Sequence, residues 1–296
     1  MRIDITELFC NIDDFWIDFE KEWKQMLIGK QKRAPRRRPS LHTSEVITIV
    51  ILFHRSGFRN FKTFYKGYVL VHLVEFFPSA PSYQRFVELK KSIIFPLHCY
   101  LMRLMGKPTG ISFVDSTSLA VCHSKRIYQH KVFKGMARRG KTSVGWFYGF
   151  KLHIIVNDEG ELLSFALTPG NVDDRAPVSK LVKENISGLL FGDRGYISSK
   201  LATTLRKQGV QLITRLRSNM KNKFMPFMHK MLLRKRGIVE TVIDQLKNIS
   251  QIEHSRHRSP YNFIVNLLAG LIAYSHQPKK PSLNLRKNET NMLTVC

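Results

Sequence analysis

The sequence is poor in cysteine: four among 296 residues, Cys10, Cys99, Cys122 and Cys296, with no paired spacing. That argues against a disulfide framework and a cysteine zinc site, and it fits a reducing cytosol. Acidic residues are scarce, 22 against 48 lysines and arginines, for a formal net charge of +26. A chain this basic repels itself when compact, and a polyanionic partner is the usual compensation. Long apolar runs are missing as well, since residues 46–52 and 264–274 fall short of the roughly 20 needed to cross a bilayer. Residues 1–22 are acidic and aromatic rather than a basic, apolar leader. No GxxxxGK[ST] loop is present to cradle a triphosphate, so no nucleotide cofactor is implied. These absences predict a cytoplasmic protein without a membrane partner.

What is present is a core and an uneven distribution of charge. Hydrophobic residues make up 43% of the chain and aromatics 11%, too much for a disordered protein and enough for two domains. No acid occurs from Ser116 to Asn157, nor from Ile197 to Val239, while lysine and arginine recur throughout both tracts. Acids reappear only at a few isolated points, and an acid kept inside a basic tract calls for an explanation.

Residues 1–28 show helical spacing through Leu8, Ile12, Phe15, Phe19 and Trp23. A basic, proline-punctuated stretch at 30–39 cannot be helical and is read as a solvated loop or a phosphate-binding arm carrying Arg36, Arg37 and Arg38. Three helices are predicted next: one capped by Thr43 or Ser44, one over 61–71, and one from Pro81-Ser82 through Ile94. They suit a helix-turn-helix region or a helical scaffold. After Gly110 the period changes from helical to two. Strands are expected at 111–115, 146–156, 161–167, 189–191 and 210–216, with a hairpin turn at 157–160. Helices are expected from Ser198 or Ser199 to Gly209, over 234–249 and over 261–274, followed by a fraying polar tail from Gln277. This is an α/β order with a mixed sheet, and the chain is parsed as 1–109, 110–276 and 277–296.

Asp115 and Asp193 each close a short apolar strand, the place where α/β sheets present functional groups. Either alone would pass as a helix cap or turn aspartate. On a helical wheel for 234–249, Ile238, Val242, Leu246 and Ile249 gather on one side, and Arg236, Glu240, Asp244 and Lys247 on the other. That polar side also fits a salt-bridged surface stripe. Three carboxylates can hold two hard cations through oxygen ligands, and two such ions roughly 3.5–4 Å apart stabilise the entering and leaving oxygens of an in-line displacement at phosphorus. Asp173 and Asp174 form a rival pair, but adjacent residues rarely face one site, so they are read as a loop and cap feature. His153, beside Lys151 on the long strand, is either a satisfied histidine or a helper near a phosphate.

FVDST around Asp115, HKVFKG, GWFYGFKLH, TPGNVDDR, GDRGY around Asp193 and RKRGIVETVIDQLKN around Glu240 occur in this order over most of residues 111–275. Together they resemble the DDE transposases of bacterial insertion sequences. The resemblance implies a ribonuclease-H-like catalytic fold preceded by a small all-helical domain, with Asp115, Asp193 and Glu240 as catalytic residues and metal ligands. It implies Mg²⁺, with Mn²⁺ able to substitute, and cleavage and joining of double-stranded DNA at terminal inverted repeats and in target DNA. The N-terminal part is expected to bind the DNA ends. Lys247 resembles a position that contacts DNA, and Arg236, Lys151, His153, Arg194 and the arginines of the arm are read with it. A homo-oligomer on DNA in the bacterial cytosol, associated with the nucleoid, is expected. The rival readings are a ribonuclease-H-like nuclease that cuts but never joins, and a basic DNA- or RNA-binding protein whose carboxylates are structural.

Overall fold

The computed structural model describes residues 4–26, 40–143, 145–182, 186–215, 224–253 and 257–285, and the chain divides into two compact units. The first begins with α1 (Ile5–Met26). Leu8, Ile12 and Phe15 are buried, and Phe19 and Trp23 continue the stripe by packing with Phe95 at ring separations of 5.8 and 4.7 Å. The next helix, α2 (Thr43–Arg55), is buried from Val46 to His54. Its cap is His42 rather than Thr43 or Ser44, because the Glu45 carboxylate turns back to accept the His42 backbone N–H at 2.5 Å.

The helix expected over 61–71 is present as α3 (Phe61–Phe64), a π-helical turn (Tyr65–Val69) and α4 (Leu70–His72). The single helix expected from Pro81 is two, α5 (Tyr83–Leu89) and α6 (Ile94–Arg103). Lys90 at the break is buried with its ammonium 4.1 Å from the centre of the Phe61 ring. The aromatic richness of this stretch serves packing, with Phe53, Phe61, Phe64, Tyr65 and Phe86 in mutual ring contact.

Among the described residues the second unit holds six strands: β1 (Ile111–Cys122), β2 (Arg138–Thr142), β3 (Gly145–Asn157), β4 (Leu162–Pro169), β5 (Gly188–Gly192) and β6 (Val210–Thr214). Their order is β2-β3-β1-β5-β6, with β4 also paired to β3. The β1–β3 and β3–β4 pairs are antiparallel, whereas β1–β5 and β5–β6 are parallel. The sheet is therefore mixed, as expected. The hairpin turn forms as read: the side-chain oxygen of Asn157 accepts the N–H groups of Glu159 and Glu161 at 3.1 and 2.8 Å. Gly149 lets β3 cross the irregularity in β1, because a Cβ there would strike the Leu119 carbonyl.

One face of the sheet packs α7 (Val178–Leu181) and α8 (Ser199–Lys207) onto Val114, Ile155, Leu163 and Leu190. Burying each such aliphatic side chain contributes about 1.5–3 kcal/mol. The helix expected over 234–249 is interrupted: α9 (Phe227–Arg234) packs by β5 and β6, and α10 (Gly237–Asn248) follows a turn at Lys235 and Arg236. Ile249, placed on the apolar side of the wheel, is 54% exposed because it lies past the last turn.

The last helix, α11 (Pro260–Ser275), is apolar on nearly every side, so it needs cover all round. It packs against α2 and α6 and belongs to the first unit, not to the sheet-bearing segment with which the sequence grouped it. The start of the tail is held at Pro281 and Leu283: the N–H of Leu283 donates to the Asp158 carbonyl at 2.9 Å, and the carbonyl of Pro281 fills the space that a side chain at Gly160 would take. No described helix is long and apolar enough to cross a membrane.

Candidate active site

The parallel pairing of β1 and β5 places Phe113 opposite Phe191, with their rings stacked at 5.4 Å. Asp115 and Asp193 each follow two residues later, Asp115 inside β1, which runs on to Cys122, and Asp193 just past the carboxyl end of β5, close enough for the two charges to act on each other. They are held differently. Asp115 lies within β1, accepts the Ser116 N–H at 2.8 Å, and has a side chain only 21% exposed. Asp193 lies just past β5 and caps the short 3₁₀ turn Arg194–Tyr196 by accepting the Gly195 N–H at 2.7 Å. The cap role and a site role thus fall on the same residue.

Glu240 reaches this corner from α10 through an arginine. Arg236 donates to Asp115 Oδ2 at 3.4 Å and to Glu240 Oε1 at 2.5 Å. Glu240 itself is 57% exposed, which leaves its side chain free to change rotamer. Burial pushes the Asp115 carboxyl up to about 6, against the lowering effect of Ser116 and Arg236, and Asp193 and Glu240 add to the rise. The site is thus a concentration of negative charge that wants a cation.

Asp174 is a fourth carboxylate at this corner, and sequence reasoning set it aside. Its Oδ1 accepts from the Ser116 hydroxyl at 2.9 Å and from the Lys151 ammonium at 3.0 Å, while Lys151 also donates to the Val172 carbonyl at 3.0 Å. Asp173 turns away to a fork with Arg175. The phenol of Tyr196 is buried beside Ser116, and its ionisation is pushed up by burial and by Asp115, Asp174 and Asp193. The signal that could have found Asp174 is Lys151, a cation on the adjacent strand with no acid of its own tract to pair with.

The donor set suits a hard divalent ion, since carboxylate oxygens are what Mg²⁺ and Mn²⁺ take. The guanidinium of Arg236 already occupies a cation's position between Asp115 and Glu240. Among the described residues no three acids, histidines or cysteines approach closely enough to hold an ion as they stand. A cavity of about 550 Å³ lined by Phe15, Phe19, Trp23 and Phe95 contains none of these residues. The candidate site adjoins a polar groove of about 470 Å³ that includes Lys151, Asp174 and Gly195.

The family model of the transposase DDE domain matches residues 105–260, just over half of the 296 residues. The chain belongs to the DDE transposases. DNA transposition is the activity of that family, and the match begins where the second unit does. The fold is similar to that of the piggyBac transposase in its synaptic complex with hairpin DNA: TM-score 0.50, 14% identity, 97% of this chain and 77% of that one. A further likeness, to the simian T-cell lymphotropic virus intasome bound to the PP2A regulatory subunit B56 gamma, has TM-score 0.27, 13% identity and coverage of 69% and 68%, and carries no structural weight. No curated protein matches the chain. The mixed sheet is the ribonuclease-H-like arrangement that the resemblance implied.

The cations read as DNA contacts in this transposase are differently placed. Arg194 is exposed, and Lys151 lies at the base of the groove with its side chain 12% exposed. Lys247 is engaged with Glu253 at 2.9 Å, and Glu253 in turn accepts the Ala120 N–H at 3.2 Å. His153 is fully buried, with Nε2 2.8 Å from the Thr168 hydroxyl, so it does not reach a DNA strand directly. Both faces of β3 are covered, which the simple alternation did not anticipate. Burial holds His153 down at about 4. Arg36, Arg37 and Arg38 lie outside the described residues.

Proposed function

We propose that Asp115, Asp193 and Glu240 are the catalytic carboxylates of a transposase of a bacterial insertion sequence, which cuts DNA at the element's ends and joins those ends to target DNA. The observation that carries this reading is the convergence of two aspartates from adjacent parallel strands with a glutamate from a following helix: Arg236 bridges Asp115 and Glu240, and the Asp193 charge acts on Asp115. The three would hold Mg²⁺, or Mn²⁺ in its place. Such ions lower the pKa of a nucleophilic water or 3′-hydroxyl and stabilise the departing oxygen of an in-line displacement.

The rest falls to the chain. Asp115 and Asp193 are fixed by backbone donors and set the position of the site. Glu240, on an exposed helix face, can swing. Arg236, once displaced from the carboxylates, presents a forked guanidinium to a phosphate. Lys151, anchored by Asp174 and Val172, is a preset positive charge at the floor of the groove. Arg194, exposed and next in sequence to Gly195 of the groove, would add a phosphate contact, and Lys247 would meet DNA after exchanging Glu253 for a phosphate. The helical unit, with the arm at 30–39, would bind the terminal repeats. Its α1 carries Glu7, Asp13, Asp14, Asp18, Glu20 and Glu22, so the DNA-facing surface there is one other than α1. Two ends held together call for a homo-oligomer on double-stranded DNA, in the cytosol where the nucleoid is.

The test is a labelled duplex carrying the repeat that flanks the protein's own gene, incubated with the full chain with and without Mg²⁺, beside Glu240→Gln. Metal-dependent nicking at the repeat boundary, lost in the variant, is the expected result. Pre-cut ends should then be linked to target DNA; cutting without joining would make the protein a nuclease. Tight binding with no cleavage under either metal would overturn the reading.

A further inference from the structure

At the edge of the sheet lies a surface that this chemistry leaves unused. Trp146 is 65% exposed and Tyr128 is 89% exposed. Each ring carries a cation: Lys141 Nζ stands 5.8 Å from the centre of Trp146, and the Arg139 guanidinium 5.8 Å from that of Tyr128. Lys141 and Trp146 are direct cross-strand partners of β2 and β3, so their contact is built into the register. Single exposed apolar residues are ordinary on a protein surface, but two exposed aromatic rings with cations laid on them on one edge are not. Neither Arg139 nor Lys141 enters an ion pair among the described residues, and no acid occurs between Ser116 and Asn157 to supply one.

This edge is continuous with the candidate site. Arg139, Lys141, Trp146, Lys151, Asp174 and Gly195 line one groove, and Gly195 is the residue whose N–H holds Asp193. A strand lying along it would pass from Asp174 to the Trp146 ring, with Tyr128 outside the groove lining but held against Arg139.

We propose that Trp146 and Tyr128 form a stacking platform for unpaired bases of a DNA strand, with Arg139 and Lys141 meeting its phosphates. A paired base inside a duplex shows only its edges, because its faces are covered by its neighbours. An exposed ring can be used in full only by a base whose face is free, and stacking on aromatic side chains beside a basic groove is how single strands are held without sequence readout. Aromatics mixed with lysine and arginine also suit a bilayer interface, but a groove that opens onto carboxylates favours DNA. That the strand is one separated at the cleavage centre rests on the function proposed above; the stacking does not.

The experiment uses the full chain in EDTA, so that nothing is cut. Binding of a labelled oligothymidylate and of a blunt duplex is followed by anisotropy, with tryptophan quenching as a second signal. Trp146→Ala and Tyr128→Ala should each weaken single-strand binding about tenfold, as loss of one stacked base does. Trp146→Phe, which keeps a ring, should stay within about threefold of the parent, and duplex binding of all variants within the same range. Matching melting curves establish that the variants fold. Equal losses on duplex and single strand, no loss in either alanine variant, or preference of the parent for phosphatidylserine vesicles over DNA would each overturn the platform. Cleavage by the parent in Mg²⁺ is scored separately. A protein that stacks but never cuts sinks the functional reading and leaves the platform standing; one that cuts while its alanine variants bind single strands normally does the reverse.

Discussion

The Arg236 guanidinium lies 3.4 Å from Asp115 Oδ2 and, through its other terminal nitrogen, 2.5 Å from Glu240 Oε1. One side chain therefore neutralises the two carboxylates that no other described cation reaches. Its side chain is 21% exposed, as is that of Asp115, so the charges are poorly screened by water and their pairing matters. Removing the arginine leaves the acids uncompensated until a metal arrives. Arg236→Gln should lower the thermal stability of the metal-free protein by about 1–3 kcal/mol, the typical consequence of leaving a partly buried charged group unpaired. It should also bind Mn²⁺ more tightly, by severalfold in calorimetric titration. If metal affinity falls instead, Arg236 supports the metal-bound arrangement rather than standing in for it.

The carboxylates themselves should separate activity from stability. Asp115→Asn, Asp193→Asn and Glu240→Gln are each expected to reduce cleavage by at least about a thousandfold, since removing a ligand withdraws several kcal/mol of charge stabilisation from the transition state. None should melt appreciably below the parent in EDTA. Asp115→Asn is the sharpest case, because it removes a negative charge that burial, Asp193 and Glu240 all disfavour. Parallel melting curves and cleavage assays decide this. A variant that loses activity only in proportion to lost folded protein would make the acids structural.

The hairpin of β3 and β4 was legible because its alternation and its Asn157 turn are local chemistry, and the apolar run before Asp193 announced the end of β5, whereas the run before Asp115 marked only the first part of β1. Features that arise from pairing were not. β2 reads Arg-Arg-Gly-Lys-Thr, a sequence without strand character that becomes a strand only because β3 offers an edge. β1 runs on through Ser116, Thr117 and Ser118 for the same reason. The rule that adjacent aspartates cannot share a site held, but it removed both where only one turned away: Asp173 is taken by Arg175, and Asp174 faces Ser116 and Lys151. Glu240 keeps the expected i,i+4 pairing with Arg236 although the helix expected around it is broken, since that relation survives the turn.

Asp174 should therefore behave as a positioning residue. It touches Lys151 and Ser116, and Ser116 in turn donates its N–H to Asp115. Asp174→Asn keeps the shape and removes the charge that holds the ammonium. Cleavage should fall about 10- to 100-fold, corresponding to about 1.4–2.7 kcal/mol at the transition state. The Mn²⁺ affinity should stay near that of the parent, and Asp174→Glu should restore part of the rate. Loss of metal binding along with the rate would instead make Asp174 a ligand.

The first unit carries a pH dependence of its own. His54 is buried, with Nδ1 donating to the Ser250 carbonyl at 2.5 Å, and burial holds its pKa down at about 4 against an ordinary 6.5. The unfolded chain therefore takes up a proton that the folded one refuses between those values. Its contribution is intact above pH 6.5 and is lost as pH falls toward 4, by on the order of 3 kcal/mol if the full shift is realised. His153, also held at about 4 by burial, acts in the same direction in the second unit. His54→Gln should be less stable than the parent at pH 7, through imperfect replacement of the Ser250 bond, yet lose less on going to pH 5. Thermal midpoints of the two proteins at both pH values test this. If parent and variant lose equal stability between pH 7 and 5, His54 does not titrate on unfolding and its buried bond to Ser250 is not what sets the acid limit of the helical unit.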